Sequence, residues 1–398
     1  MSSPYANYDP TKAIVQADPY PYYAYLREHE PVKYIPEMNA YAVSRHSDVQ
    51  AVLRNHEQFS SGPLIQLAFG DFNPAPDSPY LLASDPPDHT RLRNLVNKAF
   101  SKRMLDSKRT EIVAIVKQLL DEASENEEFD VIEEFSSPLP VHIIGQIMGI
   151  ETEMRADFRR WSNNVTAGGN AAALTDAQRA EMRQDTEDFR DYFLKRIAEV
   201  RKKPEANLIS DLVQAEEAGD KLTADEVLAM CVLLLIAGNE TTTSLISNAI
   251  ICLRDFPEQE KIARADRSLV PNMTEEVLRY LSPIQFLFRQ SISETQVAGV
   301  TIPKDATVLA MYASANRDES VFKNADQLDV RRENLRQHTA FGWGIHMCVG
   351  RALGLLEGEL ALNHMFDRFK TIEITQEKIE WCDAFYLRGP KNLKIRCR

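Results

Sequence analysis

Residues with chemical potential concentrate in two short segments of this 398-residue chain. The first, residues 341–350, reads FGWGIHMCVG and places Cys348 among Gly342, Gly344 and Gly350, although the chain has only 15 glycines. Glycines permit positive φ angles and let the backbone approach a flat or bulky partner closely. The residues after Cys348 have a helical pattern, so the dipole and free N–H groups of a helix N-terminus should favour a thiolate there. A dry, hydrogen-bonded thiolate suits a soft or borderline metal such as iron.

Other roles for this cysteine are open from the residues alone. Phe341 and the loop backbone are expected to shield the sulfur from water. Zinc is an alternative because His338 and His346 lie nearby, but a zinc site needs three or four ligands and no second cysteine is close in sequence. An ordinary buried thiol is the third interpretation. We adopt that interpretation for the remaining cysteines, Cys231, Cys252, Cys382 and Cys397.

The second segment, residues 237–243, reads AGNETTT and lies in the middle of a long apolar stretch. Glycine costs about 1 kcal/mol relative to alanine in a helix, and threonine hydroxyls compete for the backbone. One interpretation is a polar face turned to solvent. The other presents the Thr241 hydroxyl and the Glu240 carboxylate to a buried site, with Thr241 bonding the Ala237 carbonyl and opening the helix locally.

The elements that must position these segments are mostly helices. A capping box, Thr223 to Glu226, opens the apolar stretch, and Pro257 follows Asp255, which predicts a central helix of roughly 30 residues. Residues 88–283 are helical in pattern, and β-like segments lie near 30–45, 284–315 and 380–398. Without βαβ alternation, this predicts one mostly α-helical α+β domain over residues 1–398.

Proline marks a candidate binding loop. Residues 62–88 hold six prolines, which exclude a regular element and indicate a lid or binding loop. A second break, residues 165–175, separates two helical stretches and is a candidate mobile cap.

Composition narrows the class of protein. The net charge is −13, which disfavours nucleic-acid binding. The N-terminal residues lack the pattern of a signal peptide, and no apolar run reaches the ~20 residues of a membrane span. Five cysteines without a disulfide pattern indicate reduced thiols. We therefore expect a cytoplasmic protein that does not enter a membrane.

Several motifs together resemble one family. FGWGIHMCVG resembles the haem-binding loop of the cytochromes P-450, the haem-thiolate monooxygenases, and AGNETT resembles their oxygen-activating helix. Glu276–Arg279 is similar to their E-x-x-R helix, and residues 85–93 (DPPDHTRLR) resemble the haem-contacting helix of soluble bacterial members. SANRDESVF and LDVRREN resemble later segments. The motifs occur in the family's order from about residue 20 onward.

The resemblance implies haem b as cofactor and dioxygen as co-substrate, with Cys348 as the axial ligand of the haem iron. It implies that the propionates bind to His89, Arg93, Arg289 and His346, and that Phe341 and Ala237 also contact the cofactor. Glu276, Arg279 and Arg332 are expected to form a structural ion network behind the cysteine loop. Thr241 and Glu240 are expected to deliver protons while dioxygen is activated.

The resemblance also locates a substrate pocket. It should be bounded by residues 62–88, residues 155–185, the central helix and the turn at Phe385. The residues expected to line it are Ile65, Leu67, Phe69, Leu233, Ile236, Ala237, Gln285, Leu287 and Phe385. This mainly apolar set suits a fatty acid, terpenoid, steroid or macrolide.

Electrons are expected from a separate protein, because no flavin or iron–sulfur domain is visible in the sequence. The expected partner is a ferredoxin or flavodoxin with an NAD(P)H-dependent reductase, acting on a monomer. Such an acidic partner should meet a basic patch drawn from Arg91, Lys98, Lys102, Arg103 and Arg351. A peroxygenase driven by hydrogen peroxide, a non-catalytic haem sensor and a haem-free structural protein are the alternatives.

Overall fold

The structure is a computed structural model that describes residues 3–62, 64, 72–154, 156–158, 160–161, 175–217 and 219–398. The predicted pocket residues Ile65, Leu67 and Phe69, and the break at 165–174, lie outside the described residues. The chain forms two compact units. Unit 1 comprises Met1–Ser60, Val116–Ser137 and Thr241–Arg398, and unit 2 comprises Ser61–Ile115 and Pro138–Glu240.

The main described helices are α1 (Ala13–Ala17), α2 (Tyr20–His29), α3 (His46–Arg54), α4 (Asp88–Ala99), α5 (Lys102–Ala123), α6 (Pro138–Met148), α7 (Asp176–Lys202), α8 (Leu208–Gln214), α9 (Ala224–Asp255), α10 (Pro257–Ala265), α11 (Val270–Tyr280), α12 (Tyr312–Ala315) and α13 (Arg351–Arg368). The strands are β1 (Val32–Ile35), β2 (Ala40–Val43), β3 (Phe59–Ser60), β4 (Glu128–Asp130), β5 (Glu216–Glu217), β6 (Asp220–Lys221), β7 (Leu287–Ser291), β8 (Thr295–Val297), β9 (Val300–Ile302), β10 (Thr307–Ala310), β11 (Ile372–Ile374) and β12 (Lys394–Cys397). The prediction of a mostly α-helical α+β fold is confirmed.

The largest sheet lies in unit 1, with strand order β1-β2-β10-β7-β3. β1 and β2 form the predicted hairpin, β10 runs parallel to β2, and β10 pairs antiparallel with β7 so that Val308 lies opposite Arg289. Val49, Val52 and Leu53 of α3 pack in the same buried cluster as the strands. This apolar packing fixes β7 and β10, which carry residues predicted to bind the cofactor.

The central helix α9 is 32 residues long, or about 48 Å. Its capping box forms as predicted: the Thr223 hydroxyl accepts from the Glu226 backbone N–H at 3.2 Å, and Glu226 accepts from the Thr223 N–H at 2.8 Å. By length and composition α9 could cross a membrane, but 61% of its most apolar window is buried in the protein, and core helices pass the same test.

Helix α13, which follows the cysteine loop, packs closely on its neighbours in unit 1. A Cβ at Gly358 would lie 2.7 Å from Thr274 Cγ2 and 3.0 Å from Leu245 Cδ2. Only a residue without a side chain allows this approach to α11 and to the second half of α9. The helix that anchors the cysteine loop is therefore held against two others.

In unit 2, the described part of the proline-rich segment is irregular, as predicted, apart from the short 3-10 turn Leu81–Ala83. Arg190 of α7 donates to the Pro74 carbonyl at 2.7 Å and to Asp225 at 3.0 Å. These bonds hold the segment beside a groove of about 420 Å³.

Candidate haem site

The cysteine loop has a conformation that its glycines make accessible. The Cys348 N–H donates to the Phe341 carbonyl at 2.9 Å and closes the loop. Gly342 and Gly344 both have φ of +72°, where residues with a side chain are strained. A Cβ at Gly344 would also lie 2.7 Å from the Leu53 carbonyl oxygen, so this glycine lets the loop rest on α3.

Cys348 lies next to the start of α13. Helix α13 begins at Arg351 with Gly350 as its N-cap, slightly later than predicted. The Cys348 sulfur is 3.8 Å from the position of a Cβ on Gly350, so it lies beside the helix N-terminus. Its side chain is exposed. The predicted shielding of the sulfur by Phe341 and the loop is therefore not provided by the protein alone.

Glu276, Arg279 and Arg332 come together in the core of unit 1. Arg279 donates to both carboxylate oxygens of Glu276 at 2.7 and 2.8 Å, and Arg332 Nε donates to both at 3.1 Å. The remaining guanidinium N–H groups donate to backbone carbonyls of residues 316–327. Removing one partner of such a buried set costs about 3–5 kcal/mol. The geometry suits a structural role.

A second ion cluster lies beside the cysteine loop and was not predicted. Glu275 bonds His338 Nε2 at 2.7 Å and Arg351 at 2.7 Å. Burial acts to raise the pKa of Glu275, but the hydrogen bond from His338 and the charge of Arg351 hold that pKa below its usual value. The described residues contain no group of three or more His, Cys, Asp or Glu side chains that could hold a metal ion. His338 thus braces helix α11 against the loop, and the zinc alternative gains no ligand set.

Arg289 provides the test of whether these residues fit a haem. Its guanidinium is 4% exposed, donates to the Phe288 carbonyl at 2.7 Å and hydrogen-bonds Tyr312. In the described part of the chain, no carboxylate pairs with it. A buried cation without a counter-charge is costly, so this site is suited to a carboxylate-bearing group. His346 lies half-buried in the short turn Gly344–His346, two residues before Cys348. Unit 1 therefore fits a haem with propionates.

The other two predicted propionate ligands lie in unit 2. His89 is buried and Arg93 is half-buried, and both belong to α4. Four residues apart, they share one face of that helix. The structure therefore places this pair as the sequence predicted, on one stripe of one helix.

The polar segment of α9 is helical throughout. The helix is unbroken from Ala224 to Asp255, so the predicted local opening at Thr241 does not interrupt it. No neighbouring atom lies within 4 Å of a Cβ on Gly238, and Ala237 and Glu240 have exposed surface. Protein nevertheless fills most of the volume around the Glu240 carboxyl group, and this burial raises its pKa. The face around Gly238 thus combines free space with an acid that retains its proton more readily than usual.

Sequence reasoning missed one buried acid, Glu357 of α13. It is 2% exposed, and Thr242 hydrogen-bonds it. Burial raises the pKa of Glu357 to about 8, although the bond from Thr242 acts to lower it. The signal was a glutamate on an apolar stripe, since Leu353 and Ala361, four residues to either side, are both buried.

We expect Glu357→Gln to stabilise the protein at pH 8 far more than at pH 5. The folded-state pKa lies above the unfolded value, so the contribution of Glu357 is complete below about pH 4.3 and declines as the pH rises toward 8. The variant should gain roughly 2–5 kcal/mol at pH 8, measured as unfolding midpoints at both pH values. Glu333→Gln, at an exposed position, is the control. Equal pH dependence in wild type and Glu357→Gln would contradict the assignment.

The residues predicted to contact substrate have mixed environments. In unit 2, Leu233 is buried and Ile236 half-buried on α9; in unit 1, Leu287 and Phe385 are half-buried. Gln285 is buried, and its amide accepts from the Tyr23 hydroxyl at 3.0 Å and donates to the Ser282 carbonyl at 2.7 Å. Because these bonds engage its amide in the core, its predicted substrate contact receives no support.

The predicted basic patch loses two of its cations. In unit 2, Arg91 forms ion pairs with Asp220 at 3.1 Å and with Glu226. In unit 1, Arg351 pairs with Glu275. Both guanidinium charges are therefore compensated, and the prediction that they are available to a partner is wrong.

Comparisons with known proteins agree with this site. The chain matches the family model "Cytochrome P450" over residues 32–396. It is 33% identical over 395 residues to 6-deoxyerythronolide B hydroxylase of Saccharopolyspora erythraea, covering 95% of this chain and 96% of the relative. The structure of CYP109Q5 from Chondromyces apiculatus superposes with a TM-score of 0.91 at 38% identity, covering 99% and 98% of the two chains. That of CYP109E1 from Bacillus megaterium with corticosterone gives 0.87 at 32%, covering 96% and 98%.

With its cysteine loop, buried unpaired arginine and central acid–threonine pair all on the family's pattern, the chain belongs to the cytochrome P450 family and is a haem-thiolate monooxygenase that uses haem b and dioxygen.

Proposed function

We propose that the substrate is an apolar small molecule of the steroid, terpenoid, macrolide or fatty-acid class, with steroids and macrolides the first classes to test. The observation that carries this proposal is the apolar character of the expected pocket residues Leu233, Ile236, Leu287 and Phe385. An apolar lining with few polar groups binds ligands chiefly by burying their surface. The hydroxylase acting on 6-deoxyerythronolide B and the complex of CYP109E1 with corticosterone support the two leading classes.

The roles of the chain's own residues follow from their environments. When bound, the haem supplies the oxidising chemistry, using dioxygen and two electrons. The Cys348 thiolate ligates the iron, and Arg289 holds a propionate by a charge-assisted hydrogen bond. Glu240, whose pKa burial raises, holds a proton at its carboxyl oxygen near neutral pH and gives it up toward the reacting centre. Thr241 positions that proton transfer through its hydroxyl group.

The electron source is proposed to be a ferredoxin or flavodoxin with an NAD(P)H-dependent reductase, and the protein a cytoplasmic monomer. The family uses redox partners, which supports the general class of donor. A reconstituted system should consume NADPH only when substrate is present. Turnover by hydrogen peroxide alone at the same rate would favour the peroxygenase alternative instead.

A spectroscopic titration tests the substrate class. The haem-loaded protein would be titrated with testosterone, a macrolide aglycone, a monoterpene and palmitic acid, each followed by the spin-state shift of the haem spectrum. We expect at least one cyclic ligand to shift the spectrum and then to gain one oxygen atom from isotopically labelled dioxygen. A shift produced only by palmitic acid would reject the cyclic classes. A shift produced only by polar control ligands would reject the apolar pocket.

A further inference from the structure

We propose that Tyr312 is a further cofactor-anchoring residue: its hydroxyl group, which accepts a hydrogen bond from Arg289, donates its own proton to a haem propionate carboxylate. This inference rests on the proposed function, because it assigns Arg289 to the same carboxylate. It adds a phenolic donor that neither the motifs nor the spacing of the sequence indicated.

The fold places Tyr312 between the main sheet of unit 1 and the cysteine loop. Tyr312 begins α12, two residues after β10 ends at Ala310, and its side chain is only 3% exposed. On the neighbouring strand β7, Arg289 lies opposite Val308. The hydrogen bond between Arg289 and Tyr312 therefore joins two adjacent strand ends at one edge of the core.

The backbone of Tyr312 is tied to the segment that leads into the cysteine loop. The Thr339 hydroxyl donates to the Tyr312 carbonyl at 3.2 Å. On the side-chain end, the Tyr312 hydroxyl oxygen lies 3.5 Å from the position of a Cβ on Gly342, one of the two loop glycines with positive φ. Both ends of the residue are thus fixed, so its hydroxyl group has a defined location beside the loop that carries Cys348.

The electrostatic environment determines the direction of the hydrogen bonds. Burial raises the pKa of Tyr312, the charge of Arg289 acts to lower it, and Cys348 acts to raise it. The phenol therefore keeps its proton at neutral pH. A guanidinium can only donate, so Arg289 uses the phenolic oxygen as an acceptor and polarises the O–H bond.

A carboxylate is the best acceptor for the remaining proton. Arg289 is buried, and no carboxylate of the described residues pairs with it, so the counter-charge is left to the cofactor. A propionate that reaches Arg289 also comes within the surroundings of its hydrogen-bond partner Tyr312. Hydrogen bonds to a charged acceptor are stronger than neutral ones. Tyr312 and Arg289 are then two donors of a single carboxylate clamp.

The test compares haem retention in wild type and Tyr312→Phe, which keeps the ring and removes only the hydroxyl group. Each haem-loaded protein is mixed with excess apomyoglobin, and haem transfer is followed by its absorbance. We expect Tyr312→Phe to lose haem about tenfold faster, as the loss of one charged hydrogen bond predicts. Tyr23→Phe is the matched control, because Tyr23 is equally buried in unit 1 but bonds Gln285. Its rate should change less than about twofold.

Esterified haem separates carboxylate anchoring from packing. In proteins loaded with iron protoporphyrin dimethyl ester, the difference between wild type and Tyr312→Phe should shrink to about twofold, since the charged acceptor is gone. A tenfold difference that persists with the ester, or equal release rates with ordinary haem, would overturn the assignment of Tyr312. The carbon monoxide spectra of both proteins test thiolate ligation separately, so failure of the proposed function would appear there and not in the ratio of rates.

Discussion

Replacing Cys348 with alanine should abolish the thiolate-ligated band in the carbon monoxide difference spectrum and lower monooxygenation by more than about 1,000-fold. Alanine offers no ligand, and no other side chain supplies the electron-donating thiolate that favours O–O bond cleavage. The side chain is exposed, so its truncation opens no cavity in the core and the chain should still fold. Difference spectra and product formation by the two proteins, at equal concentration, measure the effect.

Cys382→Ala provides the control for this substitution. Cys382 is half-buried and its thiol lies 3.6 Å from the Leu387 carbonyl, an ordinary structural environment. This variant should keep both the band and the activity. If Cys348→Ala kept the band while Cys382→Ala lost it, the axial ligand would be another cysteine and the interpretation of the loop would fail.

Features that depend on neighbours in sequence were predictable. The two positive-φ glycines at 342 and 344 follow from the rarity of glycine elsewhere in the chain and its concentration around Cys348. The capping box at Thr223 and the end of α9 before Pro257 follow from local hydrogen-bonding chemistry. In each case a few adjacent residues contain the whole physical cause.

Features that depend on distant segments were not predictable in the same way. Glu275 meets His338 and Arg351, which lie 63 and 76 residues away in sequence. Arg91 meets Glu226, 135 residues away, and so loses its role in the predicted basic patch. The sequence lists charges but not which of them tertiary packing brings together, and a paired charge behaves oppositely to a free one.

Burial has the same limitation. The motif identified the acid at Glu240, but not the acid at Glu357, whose unusual pKa arises only because α13 packs against α9. Gln285 appeared suited to a pocket because it lies beside apolar residues, yet its amide is satisfied by Tyr23 and Ser282 in the core. Environment, and not residue type, decides whether such a polar group serves structure or chemistry.

Thr241→Ala should retain haem and substrate binding but divert most of the consumed electrons into hydrogen peroxide. The hydroxyl group of Thr241 and the proton-holding carboxyl group of Glu240 are consecutive on α9, and general acid catalysis contributes typically about 100- to 10,000-fold. Without the hydroxyl, protons reach the reacting centre out of place. We expect product formed per NADPH consumed to fall at least about tenfold, measured together with peroxide release.

The neighbouring threonine distinguishes proton delivery from a general disturbance of the helix. Thr243→Ala removes a hydroxyl group two residues away that donates to the Ser136 carbonyl at 3.1 Å, so it should alter stability slightly and leave coupling unchanged. Glu240→Gln, which cannot release a proton, should slow turnover while preserving the substrate-induced spectral shift. If Thr241→Ala and Thr243→Ala were equally coupled, the helix would matter only as a scaffold and the acid–threonine pair would have no part in moving protons.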